Sequence, residues 1–128
     1  MKAERLVRWC MMTIQGFLTG IMLWLAYALS LPGDAFANTS WKQFAALGTE
    51  SEWQFRFSLV AMIGLAGMVT SNRAVRTASV FVVATAHILV AVCFYIGFLE
   101  TGVTNTAMGT YALIAVHGYL FLILQRLL

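Results

Sequence analysis

Charged residues are scarce in this sequence. Of its 128 residues, 8 are lysine or arginine and 5 are aspartate or glutamate, whereas 61% are hydrophobic. A soluble domain carries about a quarter charged residues, and so few charges cannot cover the surface of a globule this long. The deficit therefore excludes a soluble domain and indicates a chain whose surface faces the lipid bilayer. The basic residues are scattered singly, which argues against a nucleic-acid partner.

Residues that carry chemistry are equally scarce. The two cysteines, Cys10 and Cys93, fall at different depths of their apolar runs, so we expect no disulfide between them. The sequence has no HExxH or CxxC motif, no nucleophile elbow and no phosphate-binding glycine loop. It also lacks an intramembrane carboxylate, the usual proton carrier of a transporter. We therefore predict no catalytic residue, no metal site and no enzymatic activity.

Four apolar runs dominate what is present. About 20 apolar residues span a hydrocarbon core of roughly 30 Å, so each run predicts a transmembrane helix within one transmembrane domain over 1–128. The predicted helices cover approximately residues 9–31, 52–70, 77–99 and 106–124. The first run, with its basic start and a later Ala35-Phe36-Ala37, also resembles a signal peptide. Signal-peptide cores are about 7–15 residues long, so we expect this longer run to be retained as a span.

The only loop of any length covers residues 34–51, and it contains a short amphipathic pattern. Ser40 is the predicted N-cap of a two-turn helix and Gly48 its C-terminal stop. The apolar side of this helix carries Trp41, Phe44 and Leu47. Such a helix is expected to rest in the headgroup layer of the membrane.

The second apolar run opens with polar residues. Ser51 and Gln54 have the spacing of a capping box, which satisfies free backbone donors at a helix start. Arg56 lies one turn inside the predicted helix, where its side chain can extend back to the outer interface. Glu52 precedes it by one helical turn, a spacing that predicts an ion pair.

The distribution of charges predicts the orientation. One side of the predicted membrane collects Lys2, Arg5, Arg8, Arg73, Arg76 and Arg126. The other side receives Lys42, Arg56 and four of the five acids, namely Asp34, Glu50, Glu52 and Glu100. The positive-inside rule then predicts an antiparallel four-helix bundle in the bacterial inner membrane with both termini in the cytoplasm. Trp9, Trp41 and Trp53, together with Arg56, are predicted to anchor the interfaces.

Two histidines fall inside the predicted membrane. His87 and His117 lie at depths of roughly 15 and 12 Å from the cytoplasmic side. At matched depth on neighbouring helices they could supply the two axial ligands of a b-type haem, or a path for protons or ions. The simpler interpretation, which we favour, is that each imidazole donates a hydrogen bond to a neighbouring helix. On that interpretation the protein binds no cofactor.

Small residues indicate where helices approach closely. Gly16 and Gly20 form a GxxxG motif in the first helix, and Gly64 and Gly67 lie in the second. This pattern favours packing of these helices within one chain, with association between copies as the alternative. Gln15 and Thr19, in or next to the motif, are expected to form interhelical hydrogen bonds rather than to line a pore.

The order of several features resembles small four-helix membrane proteins encoded by tailed bacteriophages and prophages. The resemblance rests on Leu31-Pro32-Gly33-Asp34-Ala35-Phe36, then Trp41, Glu52-Trp53, Arg73, Arg76, Thr101, Thr104, Thr106, Tyr111 and Arg126. It implies a bacterial inner-membrane protein of phage origin, and it assigns no catalytic residues.

Two classes of function remain. The first is a non-enzymatic membrane protein that acts by packing in the bilayer, either a holin-like lesion former or a factor that modifies the host envelope. Its partners would be lipid, further copies of itself or a membrane-embedded protein. The second is an accessory or anchor subunit of a membrane complex, with haem at His87 and His117 as one version. The end of the sequence, Gln125-Arg126-Leu127-Leu128, lacks the strongly charged tail of many holins.

Overall fold

A computed structural model describes residues 2–126 of the chain, and all regular structure in that range is helical. The helices are α1 (Lys2–Ser30), α2 (Lys42–Leu47), α3 (Glu50–Val69), α4 (Arg73–Thr101) and α5 (Ala107–Arg126). Two 3-10 turns, Ala35–Ala37 and Thr39–Trp41, precede α2. The predicted all-α class is confirmed for this part of the chain.

Three of the helices, α1, α4 and α5, are long and apolar enough to cross a membrane. Helix α3 does not reach the same apolar content, because its first two turns carry Glu50, Glu52 and Arg56. The structure thus agrees with a membrane protein, and three of the four predicted spans meet this criterion.

The long helices extend beyond the apolar runs that predicted them. Helix α1 starts at Lys2 rather than near residue 9, because residues 2–8 are mostly good helix formers although four of the seven are charged. Helix α4 starts at Arg73, where the side chain of Asn72 accepts hydrogen bonds from the backbone N–H groups of the first turn. It ends at Thr101 and is capped by Gly102, whose φ of 68° suits a residue without a side chain.

The four long helices pack in a closed order. Helix α1 contacts α3 and α5, and α4 contacts the same two helices from the opposite side. The short connections at 70–72 and 102–106 keep consecutive helices side by side. Leu18, Met22, Ala61 and Val83, each at most 1% exposed, lie where α1, α3 and α4 meet.

The loop before α3 folds onto one end of these helices, which we call the loop end. Phe44 of α2 is fully buried, and its ring centroid lies 4.9 Å from that of Phe94 and 5.1 Å from that of Trp53. Trp41 packs 4.8 Å from Phe44, and Lys42 forms an ion pair of 3.7 Å with Glu100. The segment therefore caps the helices through an aromatic cluster.

This arrangement corrects two predictions about α2. The helix does not simply rest in the headgroup layer, because Phe44 is part of the core while Leu47 is about half exposed. Ser40 is not the N-cap. Asn38 caps the preceding 3-10 turn and accepts a hydrogen bond of 3.0 Å from the backbone N–H of Ser40. Aromatic contacts with α3 and α4, which lie far away in the sequence, determine how the segment sits.

The start of α3 also differs from the prediction. The capping box is formed by Thr49 and Glu52, because the helix begins at Glu50. The Thr49 side chain accepts from the Glu52 N–H at 3.2 Å, and the Glu52 carboxylate accepts from the Thr49 N–H at 2.8 Å. With its carboxylate used in this way, Glu52 does not form the predicted ion pair with Arg56. The Arg56 guanidinium instead donates to the carbonyl of Leu47 at 3.2 Å and lies 4.6 Å from the centre of the Trp53 ring.

Candidate functional site

Polar side chains collect in the interior where α1, α3 and α4 meet. Gln15 and Thr19 of α1 and Ser79 and His87 of α4 are each at most 4% exposed. Neither Gln15 Nε2 nor Thr19 Oγ1 has a hydrogen-bond partner among the described residues. The predicted interhelical hydrogen bond is therefore not formed by either of these atoms. The space that adjoins Gln15, Thr19 and Ser79 is too small to hold a water molecule. A few polar side chains are therefore embedded in a largely apolar interior, and the space between them is closed to water.

His87 connects α4 to α1. Its ring is fully buried, and Nε2 lies 3.0 Å from the backbone carbonyl of Leu18. Because a carbonyl only accepts, Nε2 is the donor in this contact. The imidazole also stacks with the ring of Tyr111 on α5, with 5.8 Å between the two ring centroids. This geometry agrees with the interpretation of His87 as an interhelical hydrogen-bond donor.

His117 lies in a different environment. It is exposed on α5, and its Nδ1 donates to the carbonyl of Leu113, one turn earlier in its own helix, at 2.7 Å. The residues of α5 that face the interior near this level are Ala115 and Gly118, both buried. The structure therefore does not bring the two histidines together.

The surroundings of these histidines do not fit haem. Nε2 of His87 donates to the Leu18 carbonyl, whereas the buried Nδ1 has no hydrogen-bond partner among the described residues. Helices α4 and α5 are in close contact beside the histidines, because a Cβ added to Gly118, next to His117, would lie 2.6 Å from Ala84 Cβ. A haem with two histidine ligands needs both imidazoles directed at one space, whereas His87 is buried and His117 is exposed.

The predicted packing glycines divide into two groups. A Cβ added to Gly64 would lie 2.5 Å from Thr19 Oγ1, and one added to Gly67 would lie 1.7 Å from Ser79 Oγ. Gly16 of the GxxxG motif has ordinary contact space, with Met68 at 3.6 Å, and Gly20 has no neighbour within 4 Å. The α3 glycines thus allow close helix contacts within the chain, whereas Gly20 is open on the outer surface.

The predicted interface anchors lie at both ends of the helices. Trp9 is 65% exposed near the start of α1. Trp41 and Trp53 are partly buried in the aromatic cluster at the loop end, where Trp53 Nε1 donates to the carbonyl of Phe44 at 2.8 Å. Trp24, which is 61% exposed, escaped the sequence interpretation because it lies within the apolar run rather than at its edge.

Sequence reasoning also missed a cavity of about 470 Å³ at the end opposite the loop. The cavity brings together Arg8 of α1, Arg73 and Arg76 of α4, and the amides of Gln15 and Gln125. We call this the basic-end cavity. The arginines were interpreted only as topology signals, because nothing in their spacing shows that they converge.

No group of three or more histidine, cysteine, aspartate or glutamate side chains comes together within residues 2–126 as metal ligands would. Both cysteines are free, Cys10 exposed and Cys93 buried.

No protein-family model matches the chain, and neither a curated protein nor a solved structure shows significant similarity to it.

Proposed function

We propose that this protein is a non-enzymatic integral protein of the bacterial inner membrane that acts by associating with other helices in the bilayer, in a holin-like manner or by modifying the host envelope. The observation that carries the proposal is the contrast between its surface and its interior. Large apolar side chains are exposed on every long helix, whereas the polar groups of the middle section, such as Gln15, Thr19 and His87, are buried. Such a surface is suited to lipid and to other membrane helices.

The proposal includes α3 as a fourth span. One side of α3 is buried against α1 and α4 through Phe57, Ala61, Gly64 and Gly67. Its other side exposes Phe55, Leu59, Met62, Leu65, Met68 and Val69. An apolar face this long on an outer helix would be costly in water, and hydrocarbon is its natural solvent. Arg56 reaches back toward the loop end, which leaves the remainder of α3 without a charge.

With four spans, all parts of the basic end lie on one side of the membrane, and we propose that this side is the cytoplasm. The basic end contains the start of α1, the turn between α3 and α4, and the end of α5, where Arg73 donates to the carbonyl of Gln125. Among residues 2–126, only two basic residues, Lys42 and Arg56, lie at the loop end, and Lys42 is paired there with Glu100. The positive-inside rule therefore favours an orientation with the loop end outside.

A single copy offers no aqueous path through its middle section, because the space between Thr19, Gly64 and Ser79 is too small for water. A membrane lesion would therefore require several copies. Gly20 supports association of this kind, since a glycine with open space around it lets a second helix approach closely. The resemblance to phage-encoded four-helix proteins implies a bacterial inner membrane and a phage origin, and by itself it indicates no activity.

The test is controlled induction in a bacterium, with growth and membrane potential as readouts. We expect depolarisation above a threshold level of protein, and Gly20→Ile is expected to raise that threshold because it blocks close approach at α1. Gly109→Ile is the matched control, because Gly109 is also exposed with no neighbour within 4 Å but, unlike Gly20, is not part of a GxxxG motif.

Normal growth and potential at high expression would refute the holin-like version. Recovery of a stable membrane-embedded partner under those conditions would support the accessory-subunit alternative. An absorbance spectrum of protein produced with ample haem tests the haem version, and we expect no Soret band.

A further inference from the structure

We propose that the basic-end cavity binds the headgroup of an anionic phospholipid, through a phosphate ester that carries a hydroxyl group. Arg8, Arg73 and Arg76 line the cavity, and within residues 2–126 no carboxylate side chain does. Three guanidinium groups around one space favour an anion with several acceptor oxygens, and phosphate matches the geometry of arginine.

Most of the donor capacity of these arginines remains available. Arg73 donates one N–H to the carbonyl of Gln125, and Arg76 donates one to the carbonyl of Thr70 at 2.7 Å. A guanidinium group has five N–H donors, so these contacts orient the two side chains and leave most donors for a ligand. Arg8 has no hydrogen bond to another described residue through its side chain and is the arginine most available for binding.

Two buried side-chain amides indicate which other hydrogen-bonding groups the ligand carries. Gln15 is 4% exposed and its Nε2 has no partner, and Gln125 is 6% exposed and its Oε1 has no partner. Leaving a buried donor and a buried acceptor unpaired costs free energy, and both residues line the same cavity. A phosphate oxygen can accept from the Gln15 amide, and a headgroup hydroxyl can donate to Gln125.

The remaining walls favour a lipid over free phosphate. They consist of Met11, Met12, Met68 and Phe121, which are apolar and suit the glycerol backbone and the first carbons of acyl chains. The cavity also lies at the ends of α1, α4 and α5, the helices long enough to span a membrane, and thus near the depth of the headgroups. Basic pockets between membrane helices commonly hold anionic headgroups.

The test is lipid titration of the purified full chain in a neutral detergent, with bound lipid counted by native mass spectrometry. We expect one phosphatidylglycerol per chain, retained in preference to phosphatidylcholine. Arg8→Gln is expected to weaken this binding by about tenfold or more, as loss of a charge-assisted hydrogen bond predicts. Arg5→Gln is the matched control, because Arg5 lies one turn earlier on α1, is exposed and does not line the cavity.

Two results would overturn the assignment to a lipid. One is equal retention of phosphatidylglycerol and phosphatidylcholine, or an equal loss in the Arg5→Gln and Arg8→Gln variants, which would indicate only unspecific attraction. The other is displacement of phosphatidylglycerol by an equal concentration of inorganic phosphate, which would identify free phosphate as the ligand.

A second variant tests the hydroxyl contact without changing the charge. Gln125→Met removes the acceptor and preserves the length of the side chain. The wild-type chain should bind phosphatidylglycerol more tightly than phosphatidylmethanol, which has the same charge and no headgroup hydroxyl, and the variant should lose this preference. An unchanged preference in the variant would contradict the assigned role of Gln125.

Discussion

The contact around Gly67 gives the sharpest prediction about how the helices are held together. In Gly67→Ala the new Cβ would lie 1.7 Å from Ser79 Oγ, 2.5 Å from Ser79 Cβ and 3.0 Å from Gln15 Nε2. Rotation of Ser79 can move its hydroxyl but not its Cβ, so α3 and α4 must separate. Overpacking of this kind costs about 1–3 kcal/mol, and we expect a loss near the upper end because the obstacle is close to the backbone.

The assay is unfolding of the purified protein by increasing SDS in mixed micelles, followed by circular dichroism. Gly20→Ala is the control, because its Cβ would meet no atom within 4 Å, and it should leave stability unchanged or slightly higher. The double variant Gly67→Ala/Ser79→Gly removes the obstructing Cβ and should recover most of the loss. Wild-type stability in Gly67→Ala, or no recovery in the double variant, would refute the assigned packing.

Three further predictions concern the loop end and the histidines. Phe44→Ala removes a fully buried ring, so it should lower stability by about 3–5 kcal/mol and detach the segment before α3, measured as faster proteolysis of that segment. Thr49→Ala removes the capping-box acceptor and should cost about 1 kcal/mol in the same SDS titration, with Ser51→Ala unchanged. His87→Leu should destabilise the chain by about 0.6 kcal/mol, the mean for an interhelical hydrogen bond in a membrane, and His117→Leu should have no effect; equal effects of the two substitutions would contradict their different environments.

Hydropathy and charge were sufficient to predict the helical class. Each of the four predicted apolar runs lies within or largely within a long helix, because continuous apolar character in a chain with few charges has few other structural solutions. Helix ends were predicted less well, since hydropathy marks apolar character rather than backbone hydrogen bonding. Residues 2–8 include four charged residues and are helical, and Thr49 rather than Ser51 caps α3.

Contacts between distant segments could not be predicted from local patterns. The spacing of Trp41, Phe44 and Leu47 indicated an apolar face, but Phe94 on α4 determines that Phe44 is buried and Leu47 is not. The matched depth of His87 and His117 similarly did not show which way each side chain points. His117 lies on the exposed side of α5, whereas His87 is buried. The depth of a residue in the membrane follows from its position in the sequence, whereas the side of the helix that it faces depends on how the helices pack.

The central claim is that α3 crosses the membrane, and cysteine labelling tests it most directly. In a Cys10→Ser/Cys93→Ala background, single cysteines are placed at Ala45 in the loop end and at Ser71 in the turn between α3 and α4, both exposed positions. Intact spheroplasts are then treated with a maleimide that does not cross the membrane. We predict labelling of Ala45→Cys from outside and labelling of Ser71→Cys only after the membrane is permeabilised. Labelling of both positions from the same side would show that α3 does not span the bilayer and would contradict the account.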